Sequence, residues 1–168
     1  MSATTATQIL SPKLADFIGD PRMTIDACSR NIQLLPSIAR GLACKADVAG
    51  NQITLWISAS HSLEFIADLR QGHAIAIVIC LPSTHQTIQI KGERAELGPP
   101  TQAELAYIEH KVPLLTAELG SMGFGPEYCA RMLAYRTDDV LQVRFTPLSV
   151  FEQSPGSNAG KKLEVATW

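Results

Sequence analysis

The polar side chains of one predicted strand are the first residues in this chain that could do chemistry. From Thr87 to Leu97 (TIQIKGERAEL), apolar and polar residues alternate up to Gly92. Alternation directs Thr87, Gln89 and Lys91 to one face of a strand, and Gly92 is expected to bend or bulge it. A hydroxyl, an amide and an ammonium on one face could bind an anionic or electron-rich ligand. The simplest alternative is an ordinary strand with one solvated face.

Metal chemistry is not predicted, because the spacing of the cysteines and histidines matches no common ligand motif. The cysteines never form CxxC, and the histidines show neither HExxH nor a paired spacing. These residues are Cys28, Cys44, Cys80 and Cys129, and His61, His73, His85 and His110. We therefore expect buried thiols and no metal site.

Length and charge restrict the classes of protein that fit this sequence. The 168 residues suit a single domain spanning 1–168, with a flexible N-terminus over about 1–8 and an irregular tail over about 152–168. The formal net charge of -2 gives no basic surface for nucleic acid. No apolar run is long enough to cross a bilayer, and the first residues lack a signal-peptide pattern. These features predict a soluble, cytoplasmic protein.

The elements that must position the polar face are mostly strands. Capping residues, glycines and helical spacing predict four helices, and Pro113 should kink or break the third of them. The helices are Pro12–Ile18, a segment from Ser60 or Ser62 to about Gln71, a long one capped by Thr101 and Glu104, and Pro126–Ala134. The strands are Met23–Arg30, Ser37–Asp47, Gln52–Ser58, Ala74–Leu81, Thr87–Leu97 and Val140–Phe145.

The strand at Ala74–Leu81 (AIAIVICL) has an unbroken apolar sequence. Such a run predicts a central strand that is buried on both faces. The turn at Pro82 to Thr84 should pair it antiparallel with Thr87–Leu97. The fold class predicted is therefore mainly β and mostly antiparallel, with flanking helices, as a small closed or split barrel.

The order and spacing of these segments resemble the pyridoxamine 5'-phosphate oxidase-like family of FMN-binding split barrels, from about Met23 to Gly160. The resemblance lies in PSIARGLACKAD at Pro36–Asp47, ITLWISASHSLEFIADLRQG at Ile53–Gly72, AIAIVICLPSTHQTIQIKGERAEL at Ala74–Leu97, and VRFTPLSVFEQSPGSNAG at Val143–Gly160. It implies FMN as the cofactor and a homodimer that holds two FMN molecules in the clefts between its subunits.

The resemblance also implies which residues bind the cofactor. Arg40 and Lys45 match the spacing of an arginine and a lysine that hold the flavin and its phosphate in the oxidase. A separation of five residues places them on opposite faces of an ideal strand, so a bulge or twist is needed to bring both to one ligand. The alternative is two solvated charges on an edge strand. The opening strand then contributes Thr87, Gln89 and Lys91.

The end of the strand at Gln52–Ser58 is where the family's backbone and hydroxyl groups approach the flavin. The corresponding residues are Trp56, Ile57, Ser58 and Ala59, and Ser58 and Ser60 could donate hydrogen bonds to a phosphate. The basic pair that follows this strand in the oxidase is replaced here by Ser62 and Leu63.

Two functions follow from the resemblance. The first is an FMN-binding flavoprotein, an oxidoreductase with an unknown small-molecule substrate or electron donor; no acid, base or other catalytic residue stands out. The second is a non-enzymatic module that binds or senses flavin, deazaflavin or haem on the same fold. The oxidase's C-terminal arginine and tryptophan are not found in FEQSPGSNAG, so pyridoxamine phosphate oxidation itself is not predicted.

Overall fold

Antiparallel pairing closes six long strands into a barrel in the computed structural model, which describes residues 8–72 and 74–164. The strand order is β3-β2-β1-β4-β5-β6, and pairing of β3 with β6 completes the circle. The strands are β1 (Thr24–Arg30), β2 (Pro36–Asp47), β3 (Gln52–Ser58), β4 (Ile75–Leu81), β5 (Gln86–Gly98), β6 (Val140–Glu152) and β7 (Lys162–Leu163). The helices are α1 (Pro12–Gly19), α2 (Leu63–Gly72), α3 (Gln102–Ser121) and α4 (Pro126–Met132), with a 3-10 turn at Thr137–Asp139. The predicted fold class is confirmed.

The barrel core consists of the inward-facing apolar residues of the strands, because alternate side chains of a strand point to opposite faces. Ile77, Ile88 and Ile90 are fully buried in it, together with Phe65 of α2 and Leu14 of α1. The helices α1 and α2 pack mainly against β1 and β2. Within the described residues, no helix is long and apolar enough to cross a membrane.

Strand β5 has the predicted alternation and the predicted irregularity at Gly92. The strand register shifts between Lys91 and Gly92, where β5 pairs with β6. A Cβ atom at Gly92 would lie 2.7 Å from Cε2 of Phe145 and 2.7 Å from the carbonyl oxygen of Thr146. Only glycine therefore fits this close approach of β5 to β6.

The prediction that β4 is buried on both faces is wrong. Ile75, Ile77 and Ile79 are buried in the core, whereas the alternate residues on the outer face are partly exposed. These outer residues are Ala76, Val78 and Cys80. In the described part of the chain the helices pack chiefly on other strands, so the outer face of β4 and β5 lacks a helical cover.

Helix α3 runs without a break through Pro113, so the predicted break does not occur. Proline removes one helical hydrogen bond, and that loss is tolerated here because Ile108 and Leu115 are buried on either side of it while Pro113 itself is exposed. The predicted capping box of Thr101 and Glu104 is present at the start of α3.

The last long strand extends further than its alternation predicted. Strand β6 continues from Val140 to Glu152 and pairs with β3, β5 and β7. Turns and the short β7 make up the described part of the tail. The predicted flexible N-terminus lies almost entirely outside the described residues.

Candidate functional site

A bulge in β2 brings Arg40 and Lys45 to the same face of the barrel. The register between β2 and β3 shifts between Gly41 and Ala43, so an extra residue separates the two charges. Arg40 and Lys45 are both exposed, whereas Cys44 between them lies in the core. The odd spacing of five is thereby compatible with one outer surface, as the resemblance requires.

Helix α3 covers the part of that surface next to Lys45. The Lys45 Nζ atom lies 3.8 Å from the centroid of the Tyr107 ring, and this ring meets Trp56 edge to face at 5.7 Å. Trp56 is 1% exposed, and its Nε1 has no hydrogen-bond partner among the described residues. Trp56 is thus a contact between β3 and α3 and not an open ligand surface.

The hydroxyl of Tyr107 fixes α3 to the barrel. It donates hydrogen bonds to the carbonyl oxygens of Gly19 at 2.9 Å and of Cys44 at 3.2 Å. Burial raises the pKa of Tyr107 to about 12, so the phenol remains a donor at neutral pH. The Lys45 ammonium therefore packs on the Tyr107 ring, while Lys45 remains exposed to solvent.

Arg40 lies on the outer face at the edge of a groove beside helix α3. This groove, of about 170 Å³, lies between β1–β2 and the helices α3 and α4, and Asp26, Leu115 and Leu133 also line it. Strand register pairs Arg40 with Asp26. Arg40 and Lys45 share a face, but α3 lies against the surface near each of them.

The serines predicted to hold a phosphate instead hold a carboxylate. The hydroxyl of Ser58 donates to Oδ2 of Asp139, the hydroxyl of Ser60 donates to the same oxygen at 2.8 Å, and the Ser60 amide donates to Oδ1 at 3.0 Å. The Ala59 amide donates to the Asp139 carbonyl oxygen at 2.8 Å. The hydrogen bonds from Ser58 and then Ser60 lower the pKa of Asp139, so it is ionised at neutral pH.

The remaining residues of this segment have structural positions. Ile57 is fully buried in the barrel core, where it cannot meet a ligand on the outer surface. Ser62 was predicted as a helix cap, but its hydroxyl has no hydrogen-bond partner within the described residues. The Ser62 carbonyl oxygen instead accepts a hydrogen bond from the Ile66 amide. At this end of β3, the Ser58 and Ser60 hydroxyls and the Ser60 amide all donate to the Asp139 carboxylate.

Strand β5 presents the predicted polar residues on an open surface. Thr87, Gln89 and Lys91 lie on the outer face, while their neighbours Ile88 and Ile90 are fully buried. The Thr87 hydroxyl donates to the His85 carbonyl oxygen at 2.9 Å. Lys91 Nζ lies 4.8 Å from the centroid of the Phe151 ring, and Lys91 forms no ion pair within the described chain.

Strand register links this polar face to Arg40. Across four neighbouring strands, Arg40 pairs with Asp26, Asp26 with Val78, and Val78 with Gln89. All four residues lie on the outer face, and three strand spacings separate Arg40 from Gln89 by about 14 Å along the surface. The structure therefore joins Arg40 and the β5 residues in one row without direct contact between them.

A neighbouring row forms the floor of an open groove of about 400 Å³. In this row Cys28 pairs with Ala76, and Ala76 pairs with Lys91. The small side chains of Cys28 and Ala76 leave a depression, which Arg30 and Leu34 also line. The groove thus combines an apolar floor with two cationic side chains at its border.

Sequence reasoning missed Asp139 and Tyr107, which fill two parts of the predicted site. Asp139 follows Ser60 by 79 residues, and no local pattern links them. Tyr107 belongs to a helix whose apolar stripe predicted core or partner contact but not the strand it would cover. The capping box identified the start of α3, which is the only local signal that bears on either residue.

The residues fit the parts of an FMN molecule unequally. The groove and the β5 face offer an apolar floor, an ammonium, a hydroxyl and an amide, which suit a flat ring system with polar edges. The Ser58–Ser60 donors do not fit a phosphate, because an ionised carboxylate already accepts their hydrogen bonds.

Solved structures place this barrel in the split-barrel fold of pyridoxamine 5'-phosphate oxidase-like proteins. The chain matches an F420 reductase with a TM-score of 0.54 and 11% identity, covering 83% of this chain and 98% of that one. It matches HupZ of Group A Streptococcus with a TM-score of 0.52 and 10% identity, over 90% and 99% of the two chains.

A third similar structure is that of a putative pyridoxamine 5'-phosphate oxidase. The chain matches a putative pyridoxamine 5'-phosphate oxidase from Lactobacillus delbrueckii with a TM-score of 0.51 and 12% identity, over 86% of this chain and 95% of that one. No protein-family model and no curated protein matches the sequence. Because these identities are low, the likeness defines the fold, and the predicted resemblance is confirmed at that level.

Proposed function

We propose that this chain is a flavin-binding oxidoreductase that acts as a homodimer, with FMN as the first candidate cofactor. The observation that carries the proposal is the outer face of β4 and β5, where Lys91 borders an apolar groove and Gln89 lies on the same face of β5. Similar folds include a protein named as an F420 reductase and a putative pyridoxamine 5'-phosphate oxidase. A bound flavin would supply hydride or electron transfer, and the protein would bind and orient it.

The residues of the β5 face have defined tasks in this proposal. Lys91 would neutralise negative charge on the flavin or on a reaction partner, and Gln89 would hydrogen-bond a polar ring edge. Arg40 and Lys45 share an outer surface but lie away from β5, so they would contact the second flavin of a dimer. Cys28 and Ala76 would leave room for the ring.

The homodimer is supported by apolar surface on the same outer face. Ile38 in β2 is 72% exposed, and its strand partner Cys28 is partly exposed. Val78 and Cys80 of β4 add partly exposed apolar surface. A continuous apolar area of this kind is usually an interaction surface, and a second copy of the chain would cover it while completing the cofactor cleft.

The test is to purify the protein without added cofactor and record its visible absorption. We expect flavin bands, a released molecule with the mass of FMN or riboflavin after denaturation, and a mass in solution equal to two chains. Absence of flavin bands together with failure to bind added FMN or riboflavin would reject the proposal. Release of a deazaflavin or haem would show that this molecule, and not FMN, is the cofactor.

A binding or sensing module without turnover is the second candidate. The observation that favours it is Asp139, which removes donors that a phosphate-binding enzyme of this fold is expected to use. Anaerobic addition of NADH or NADPH to the flavin-loaded protein separates the two functions. Rapid loss of the oxidised flavin absorption with either donor supports the oxidoreductase, whereas a flavin that neither donor reduces favours the module.

A further inference from the structure

We infer that the Asp139 carboxylate fills the phosphate-binding position at the end of β3, so that this chain recognises a flavin without using its phosphate there. The inference rests on the proposed flavin-binding function. It concerns a residue that lies beyond the segments from which the site was predicted. We therefore expect riboflavin to bind to this chain about as well as FMN does.

The geometry shows one anion held by three converging donors. The two oxygens of Asp139 accept hydrogen bonds from the hydroxyls of Ser58 and Ser60 and from the Ser60 amide. Ser58 is buried, being 6% exposed, so its hydroxyl cannot exchange this partner freely for water. A backbone amide with neighbouring hydroxyls is the donor set that proteins use for phosphate oxygens.

The main chain holds the carboxylate in this position. The Ala59 amide donates to the Asp139 carbonyl oxygen, and Ser58 pairs with Val140, the next residue after Asp139. Val140 is buried in the cluster that includes Trp56 and Ile108. The Asp139 backbone is thus held on both sides, which positions its partly exposed carboxylate at these donors.

Electrostatics then oppose a phosphate at the same place. A phosphate monoester carries about -1.5 to -2 charges at neutral pH and would meet an ionised carboxylate that already occupies its donors. Arg136, the nearest cation along the chain, is paired with Asp138 at 2.6 Å, and both Arg136 and His61 already interact with the Asp139 charge. The oxidase's basic pair is replaced by Ser62 and Leu63, so these two positions supply no lysine or arginine to bind a phosphate.

The test compares equilibrium dissociation constants for FMN and riboflavin in the wild type, Asp139→Asn and Asp139→Ser. The wild type should bind the two flavins within about threefold of each other. Each variant should bind FMN about tenfold or more tightly than the wild type, with riboflavin affinity nearly unchanged, because the hydroxyls and the amide no longer face a carboxylate and can donate to the phosphate oxygens. Asp138→Asn is the matched control and should leave both constants unchanged.

A wild type that prefers FMN by more than about tenfold, with the same preference in both Asp139 variants, would overturn the inference. Phosphate would then be bound elsewhere, as at Arg40 or Lys45. Loss of affinity for both flavins in folded Asp139 variants would also overturn it, because the carboxylate would then support the whole site.

A second probe separates this inference from the proposed function. Inorganic phosphate is titrated into each protein while the amide signal of Ser60 is followed by NMR. If phosphate shifts the Ser60 amide signal in Asp139→Asn or Asp139→Ser but not in the wild type, Asp139 occupies these donors in the wild type. This conclusion holds even if no flavin binds and the proposed function fails. Equal response in all three proteins would contradict it, even if flavin binds.

Discussion

Lys111 is a buried lysine whose positive charge destabilises the folded protein. This residue of α3 is 2% exposed, and its Nζ has no hydrogen-bond partner among the described residues. Burial lowers the pKa of Lys111 from 10.5 to about 8, against the opposing influence of Cys44 and Asp20. The folded protein therefore carries an unfavourable ammonium at neutral pH, because a charged group loses its hydration there.

Substitution of Lys111 by methionine keeps much of the apolar stem and removes the charge. One pKa unit corresponds to about 1.4 kcal/mol, so the lowered pKa represents a penalty of about 3 kcal/mol below pH 8. Between pH 8 and 10.5 the unfolded chain binds the proton and the folded chain does not, so stability rises with pH. The free energy of unfolding of Lys111→Met should exceed that of the wild type by up to about 3 kcal/mol at pH 7.

Urea unfolding from pH 6 to pH 10.5 measures this difference. The advantage of Lys111→Met should be constant below pH 8 and shrink towards zero near pH 10.5. Burial raises the pKa of Cys44 and of Tyr107 to about 12, so both proteins lose stability at high pH. The Tyr107 contribution cancels in the difference, whereas the Cys44 contribution changes because Lys111 lowers the pKa of Cys44. Lys162→Met, an exposed control, should show no such trend. A Lys111→Met protein that is less stable at every pH would refute the reasoning.

Three further predictions concern β5 and α3. Gly92→Ala should lower the free energy of unfolding in urea by about 2 kcal/mol or more, because its Cβ would overlap the Phe145 ring; an unchanged value would show that the strands can separate at no cost. Lys91→Ala should weaken flavin binding by about 10- to 150-fold in a fluorescence titration, and Lys162→Ala should not; equal affinities would exclude Lys91 from the site. Thr101→Ala should cost about 1 kcal/mol of stability by removing the cap of α3, and an unchanged melting temperature would contradict this.

The strands could be predicted because their local pattern matches their environment. In β5, alternation alone placed Thr87, Gln89 and Lys91 on the outer face, and the structure has them there. In β4 the pattern was misleading, because Ala76, Val78 and Cys80 are apolar but only partly buried within the described chain. An apolar run reports that a surface avoids water, and it does not report whether the same chain or a partner covers it.

The candidate site could be predicted only in part, because it depends on contacts between distant segments. The spacing of Arg40 and Lys45 required a bulge, and the structure has one. The carboxylate that accepts hydrogen bonds from Ser58 and Ser60 belongs to Asp139, 79 residues beyond Ser60. The pairing of β3 with β6 brings Asp139 next to these serines. Such a contact depends on the closure of the barrel, which no local pattern specifies.

We propose that the open face of β4 and β5 binds a flavin in a homodimer. Stoichiometric titration of the cofactor-free protein with riboflavin and FMN, followed by flavin fluorescence and by the mass of the complex, tests it most directly. We expect saturation at one flavin per chain in a dimer, with weaker binding when Lys91 is replaced by alanine. A monomer that leaves the fluorescence of both flavins unchanged would contradict it.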